Sequence, residues 1–217
     1  MIWVKLSKSK LNREKIILAT TNQGKFQEIK ECLGGLPAEF LSLEDLGAGD
    51  VDEKGKSFLE NARLKSLACS LKSDFLTLAE DSGLEVRWLG GAPGIFSARF
   101  SAPRATDEKN IRKVLRLMEG VPRSQRQARF VSCAVLTRKG KILKEVKGRV
   151  RGYIASKKKG NHGFGYDPIF IYTPWHRTFG ELAPAEKNKV SHRGRALKKM
   201  EAFLMAYLNK AQKRKKK

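Results

Sequence analysis

Apolar and polar positions along the chain follow two different periods, and each change of period marks a predicted element. Lys15–Ala19 is a short apolar run that reads as a buried strand. From Gly24 the spacing becomes helical, with Phe26, Ile29 and Leu33 on one face. Glu39–Leu43 predicts a second strand, and the acidic, glycine-containing stretch 44–56 a loop. Phe58–Leu71 again has helical spacing, with Leu64, Leu67, Ala68 and Leu71 as the expected buried stripe. "FLTLAE" predicts a strand that ends at Asp81, and "GGAPGIFSARF" opens too rich in glycine and proline for a regular element. Thr106 is placed to cap a helix presenting Ile111, Val114, Leu115 and Met118. "ARFVSCAVLT", "RKGK" and "ILKEVKGRVRGYI" predict a hairpin of two long strands. In its second strand Ile142, Val146 and Val150 alternate with Glu145, Lys147, Arg149 and Arg151, which leaves one face wet and basic. Glu186–Leu208 predicts the last helix, with Leu197, Met200, Leu204 and Leu208 inward, and "KRKKK" a frayed tail. The fold class is therefore α/β or α+β, mixed, with one long hairpin in its second half.

The chemistry-bearing residues gather where elements end. In "TTNQGK" a strand hands over to a helix, whose free backbone N–H groups and dipole form a natural phosphate seat. Thr20, Thr21 and Asn22 add side-chain donors there and Lys25 a full charge. The stretch is not a P-loop, because Ala19 stands where the first glycine belongs and Phe26 where Ser or Thr must follow the lysine. An ordinary cap at Asn22, with Gly24 incidental, is the plainer alternative. "AEDSGLEV" puts Glu80, Asp81 and Ser82 at a strand end. Neighbours on a continuing pleat point to opposite faces, so only one carboxylate, Asp81 at the turn, is expected to face a cleft; an Asx-type turn is the alternative. Glu53 in the acidic loop and Glu60 on the next helix are further acids that, with Asp81, suit Mg²⁺, which takes one or two carboxylates plus substrate phosphates. "GFGYDPIF" offers close backbone approach at its glycines, a ring to stack on a base in Phe164 or Tyr166, and an acceptor in Asp167. It reads equally as a tight turn, with Ile169 a core anchor. "PAEKNKVSHRGRAL" sets Lys187, His192, Arg193 and Arg195 around a helix start, an unfavourable place for cations unless an anion or electron-rich ligand offsets it; a solvated basic face is the alternative. The three histidines have no zinc-like spacing, and no G-x-S-x-G elbow occurs.

Composition narrows the class. The 217 residues suffice for one large or two small domains with a real core. No apolar stretch is long enough to span a bilayer, and "MIWVKLSKSK" is no secretory leader. Cys32, Cys69 and Cys133 lie apart within apolar patterns and read as reduced, buried residues of a cytoplasmic protein. The net charge of +23 is uneven: residues 121–160 carry thirteen basic residues against one acid, and residues 39–60 seven acids against two bases. Such a body favours polyanionic partners, bound weakly and without sequence preference; general solubility or growth-habitat bias is the plainer alternative.

Taken in order, TTNQGK, FLENA, AEDSGLEV, GGAPGIFSARF, GFGYDPIF and EKNKVSHRGRAL strongly resemble the inosine triphosphate pyrophosphatase family, the XTP/dITP diphosphatases, from about Lys15 to Leu208. The resemblance implies an elongated two-lobed fold with a bent mixed sheet, flanking helices and a central nucleotide cleft. It implies a single pyrophosphatase domain over residues 15–208, with basic extensions 1–14 and 209–217 outside it. It further implies Mg²⁺-dependent hydrolysis of ITP, dITP and XTP to the monophosphate and pyrophosphate by a homodimer. By motif, Thr20, Thr21, Asn22, Gln23, Gly24 and Lys25 match the triphosphate grip, Asp81 the general base and metal ligand, and Ser82 a substrate contact. Glu53 matches the second metal position, Phe164, Gly165, Tyr166 and Asp167 the base pocket, and Lys187, His192 and Arg193 further substrate contacts. Two rivals stand beside this: a nucleic-acid-binding protein using the basic hairpin, and a septum-inhibitor-type nucleotide pyrophosphatase with another base preference.

Overall fold

Residues 13–46, 51 and 53–215 are described by a computed structural model of the chain. The basic N-terminal extension therefore lies almost wholly outside the described residues, as do residues 47–50 and 52 of the acidic loop and the last two residues of the tail. The first apolar run forms β1 (Glu14–Leu18), and the helix after it α1 (Gln23–Cys32). β2 (Ala38–Leu41), α2 (Phe58–Ser70), β3 (Leu76–Val86) and α3 (Asp107–Leu117) follow. Thr106 caps α3, accepting from Lys109 N. The predicted hairpin is β4 (Gln127–Arg138) and β5 (Lys141–Ile154), and two short strands, β6 (Phe170–Tyr172) and β7 (Arg177–Thr178), precede α4 (Pro184–Val190) and α5 (His192–Lys215).

The seven strands form one mixed sheet in the order β2-β1-β3-β4-β5-β6-β7, with β1 parallel to both β2 and β3 and the rest antiparallel. One core packs α1 and α5 on β1, β3 and β4, through residues such as Ile29, Leu33, Leu78, Leu136, Leu197 and Met200. A second packs α3 and the β6 region on the far halves of β3, β4 and β5, through Val86, Ile111, Phe130, Phe170 and Phe179. No helix among the described residues is long and apolar enough to cross a membrane.

Five expectations are corrected. β3 does not end at Asp81 but runs on to Val86, because β4 pairs with it continuously from Thr77 to Val86. The stripe of α2 is not the leucine one: Leu64 and Leu71 are exposed, and Phe58, Asn61, Ala62, Lys65, Ser66 and Cys69 face inward. That second stripe has the same helical period: Phe58 and Cys69 pack into two small apolar clusters, while Asn61 and Lys65 between them reach Asp81 and Glu53. Ile142 is exposed beside the hairpin turn, where the β4–β5 register shifts between Leu136 and Thr137. The last helix is two, broken at extended Ser191, whose hydroxyl accepts from Gly194 N and starts α5. α5 then continues to Lys215 through good helix formers, so the tail is helical up to there rather than frayed. Cys32 is half-buried, and Cys69 and Cys133 are buried; all three are free.

Candidate functional site

The site forms at the middle of β3, where its partner β1 stops. β1 pairs with β3 only as far as Leu78, so beyond that point β3 has lost its neighbour on one edge while β4 still holds the other. The pleat continues, and Glu80 and Asp81 do face opposite sides as alternation requires. α1 begins beside this open edge. Asn22 is its cap, accepting from Lys25 N at 2.9 Å, and Asn22 N in turn donates to Thr20 Oγ1. Lys25 reaches over the edge: its Nζ lies 3.3 Å from Glu80 Oε2 and 3.7 Å from Asp81 Oδ1. One cation thus joins two carboxylates that the strand itself separates, and the cleft straddles the sheet edge instead of lying on one face.

On the α2 side, Asn61 Nδ2 donates to Asp81 Oδ2 at 3.2 Å, and Lys65 Nζ sits 2.7 Å from Glu53 Oε1 and 3.8 Å from Asp81 Oδ1. Lys65 also donates to the Glu80 carbonyl, and Arg99 reaches Glu53 at 3.5 Å. Burial pushes the Asp81 carboxyl above its ordinary range; Lys25 and Lys65 oppose the shift, and the nearby Glu53 and Glu80 add to it. Burial also acts on Glu53, but Lys65, together with Lys25 and Arg99, outweighs it and holds that carboxyl low. An ionised Asp81 is therefore short of positive charge, in a site whose acidic ligands are oxygen only. Carboxylate oxygens of this kind suit a hard divalent cation, and Asp81 and Glu53 are the two that could hold one. Among the described residues no three His, Cys, Asp or Glu side chains converge, so phosphate and water oxygens would complete the shell.

On the α5 side, Arg193 is fully buried and central. Its guanidinium pairs with Glu28, donates to Ser82 Oγ at 2.8 Å, and brings Nε to 3.4 Å from Glu80 Oε1 without hydrogen-bond alignment. Lys187 pairs with both Glu28, at 2.6 Å, and Asp167. Burial disfavours the Lys187 charge, yet Asp167 and Glu28 outweigh it and raise its pKa. The cations at the start of α5 are thus offset by this chain's own Glu28 and Glu80. The Phe164 ring is flanked by Lys187 Nζ at 4.9 Å and Arg193 Cζ at 5.4 Å, close enough for cation–π attraction. It also packs on Gly24, where an added Cβ would come within 2.6 Å of Phe164 Cδ1, so Gly24 is needed for this contact and is not incidental. Gly165 holds a left-handed backbone, φ 58°, and donates its N–H to Asp107 at 2.7 Å. Asp167 accepts from Phe164 N and anchors the same turn. Tyr166 is buried in the second core with its hydroxyl on the Ser97 carbonyl, and Ile169 is the core anchor expected. His192 stacks on Phe130 at 4.5 Å, is kept neutral by burial and by Arg193, and has a buried Nδ1 without a partner.

A cavity of about 110 Å³ connects the two sides, touching Asn22, Lys25, Glu53, Asp81, Phe164, Lys187 and Arg193 among others. Thr20 and Thr21 line its continuation toward Lys65 and Arg99. Gln23 is the first residue of α1 and is exposed, and it lines neither space. Arg195 points away and donates to the Arg149 carbonyl. Glu60 caps its own loop at Lys56 N. Sequence reasoning missed Glu28, Asn61, Lys65, Arg99 and Asp107. For Asn61 and Lys65 a signal existed: they stand four residues apart on one helix face.

The Glu80 charge has a measurable consequence. Burial would raise its pKa, but Arg193, Lys25 and the Ser132 hydroxyl hold it far below the ordinary value of 4.5. A depressed carboxylate stabilises the fold above its unfolded pKa and loses that contribution as pH falls toward its folded one. Glu80→Gln is therefore expected to destabilise the protein at neutral pH, by a margin that shrinks about 1.4 kcal/mol per pH unit below 4.5. Urea melts of both proteins from neutral to about pH 3 read this margin; a gap independent of pH would mean that the Glu80 charge contributes nothing.

The Ham1 family profile matches residues 16–203. The dITP/XTP pyrophosphatase of Bacillus licheniformis is 41% identical over 192 residues, covering 88% of this chain and 98% of that protein. That of Bacillus subtilis is 42% identical over 191 residues, covering 88% and 96%. The HAM1 protein structure from Coxiella burnetii superposes with a TM-score of 0.80 at 38% identity, covering 88% of this chain and 98% of its own. With sequence and fold agreeing over nearly nine-tenths of its length, this chain belongs to the Ham1 family.

Proposed function

We propose that the chain is a nucleoside triphosphate pyrophosphatase that converts deaminated purine nucleotides, dITP, ITP and XTP, to the monophosphate and pyrophosphate. The observation that carries this reading is Lys25 bridging two chemically different half-sites across the free edge of β3. The base lies on the α5 side and the triphosphate crosses to the α2 side. Phe164 contributes stacking area with little base preference. Lys187 and Arg193 keep N–H donors beyond those bound by carboxylates and Ser82, and these favour a 6-oxo group. A 6-amino group would face donors with donors, a mismatch that a hydrogen-bonding site penalises strongly.

At the other end, Thr20, Thr21, Asn22 and the start of α1 seat the phosphates, with Lys25 and Lys65 as fixed positive charges. Asp81 orients a water and accepts its proton as the water oxygen bonds to the α-phosphorus. The bond from that phosphorus to the bridging oxygen breaks, and pyrophosphate leaves with the electron pair beside Lys25 and Lys65. A magnesium ion held by Asp81 and Glu53 would neutralise charge on the phosphates. The test is a panel scored by pyrophosphate release: dITP, ITP and XTP turn over rapidly and ATP, the 6-amino member, at least about a hundredfold more slowly, while GTP, which keeps the 6-oxo group, shows whether the 2-position is read as well. Equal rates on all five remove the proposed base discrimination.

A further inference from the structure

We propose that the solvent face of β5, with the groove beside it, binds single-stranded polynucleotide. Away from the cleft, a groove of about 800 Å³ crosses the far ends of β3, β4 and β5, walled by Arg87, Arg129, Arg151, Arg195 and Pro174. Arg129 and Arg151 stand directly opposite each other in the ladder. The wall continues along β5, where Lys147 and Arg149 are exposed on the same face as Arg151. Among the described residues, none of Arg87, Lys147, Arg149, Arg151 or Arg195 has a carboxylate within ion-pair distance; Glu85 is held by Arg129 and Glu145 by Arg63.

Three features select the occupant. Alternate residues of a strand lie roughly 6.7 Å apart, so Lys147, Arg149 and Arg151 form a straight row of cations at an interval that an unstacked strand can follow phosphate by phosphate. Exposed indoles adjoin two of the groove's lining residues in the chain: Trp88, 52% exposed, follows Arg87, and Trp175, 41% exposed, follows Pro174 and packs edge-on against Tyr172, itself in the lining. Cations along a groove with rings for stacking are what single strands require, whatever their sequence. A second copy of the chain laid on this face by two-fold symmetry would set arginine against arginine, so charge disfavours self-association there.

The test uses the full chain and a fluorescein-labelled oligouridylate of about twenty nucleotides, followed by anisotropy against salt. Binding is expected, with affinity falling steeply as salt rises. The variant carrying Lys147→Gln, Arg149→Gln and Arg151→Gln binds at least about tenfold more weakly, and its log–log salt slope is shallower by about two, from three contacts at roughly 0.7 each. Its melting curve and dITP turnover match the parent. Trp175→Ala weakens binding by about fivefold or more, as loss of one stacked base requires. Unchanged affinity in the triple variant would assign binding to the basic tails and overturn the proposal. Equal competition by polyglutamate would replace it with an acidic protein partner. A parent dimer that the triple variant dissolves would make the face a self-interface, and inhibition of dITP turnover competitive with substrate would place the oligonucleotide in the cleft; either result also overturns it.

Discussion

Asp81→Asn is expected to lower dITP turnover by about 10²–10⁴-fold while nucleotide binding survives and the folded state becomes no less stable. The three outcomes come from one geometry. Asp81 is the carboxylate on the α2 side that Lys25 and Lys65 approach but do not contact closely, at 3.7 and 3.8 Å. It is thus the group free to take a proton, whereas Glu80 is committed to Arg193, Lys25 and Ser132. Asparagine keeps the shape and one of the two acceptor oxygens, enough for Asn61 or for the Ser82 N–H but not for both, so the pocket keeps its form at the loss of one hydrogen bond. The triphosphate is gripped by other groups, so its affinity changes little. Stability follows from the sign of the pKa shift: burial, Glu53 and Glu80 raise the Asp81 carboxyl, so its ionised form is less favourable in the folded than in the unfolded state. At neutral pH a neutral isostere removes that cost, a trade of stability for activity common at functional sites. Single-turnover rates, a binding isotherm and a thermal melt separate these effects. Near-parental turnover takes Asp81 out of the chemistry, and a large fall in melting temperature would mean that it serves the fold.

Asp81 was legible in the sequence because a short motif at a strand carries it, and Lys25 because it follows a strand-to-helix turn. Their meeting was not. Alternation alone says that Glu80 and Asp81 diverge, and so they do; only the early end of β1, a property of register between distant strands, opens the edge over which Lys25 reaches both. The hairpin and the Thr106 cap were readable because local pattern and tertiary demand agree there. α2 was misread because two stripes of equal period compete on it. Counting leucines chose the wrong one, since a helix that walls a polar cleft turns its asparagine and lysine inward and leaves Leu64 to solvent. Glu28 was invisible for a related reason. An acid on the first helix looks solvated until Lys187 and Arg193, more than 150 residues later, close on it.

That closure makes Arg193→Ala the most damaging single change to the fold among those considered. Arg193 lies against two buried carboxylates, Glu28 and Glu80, and also bonds Ser82. Removing one member of a buried ion-pair network leaves the others uncompensated, which typically costs about 3–5 kcal/mol. Glu28 keeps Lys187 as a partner, but Glu80 keeps only Lys25 among cations, from across the strand edge. The alanine variant is therefore expected to melt well below the parent, so its lost activity would say nothing about base recognition. Arg193→Lys separates the two roles. Lysine restores one positive charge between the acids, and most of the stability should return. It cannot reproduce a planar guanidinium that engages Glu28, Ser82 and a ligand at once. The expected signature is a folded enzyme whose preference for dITP over dATP falls by about tenfold or more, chiefly through slower dITP turnover. If Arg193→Lys instead keeps the parental preference, the 6-oxo group is read elsewhere, with Lys187 the remaining cation beside Phe164. If Arg193→Ala melts with the parent, the buried network is not what holds α5 against α1.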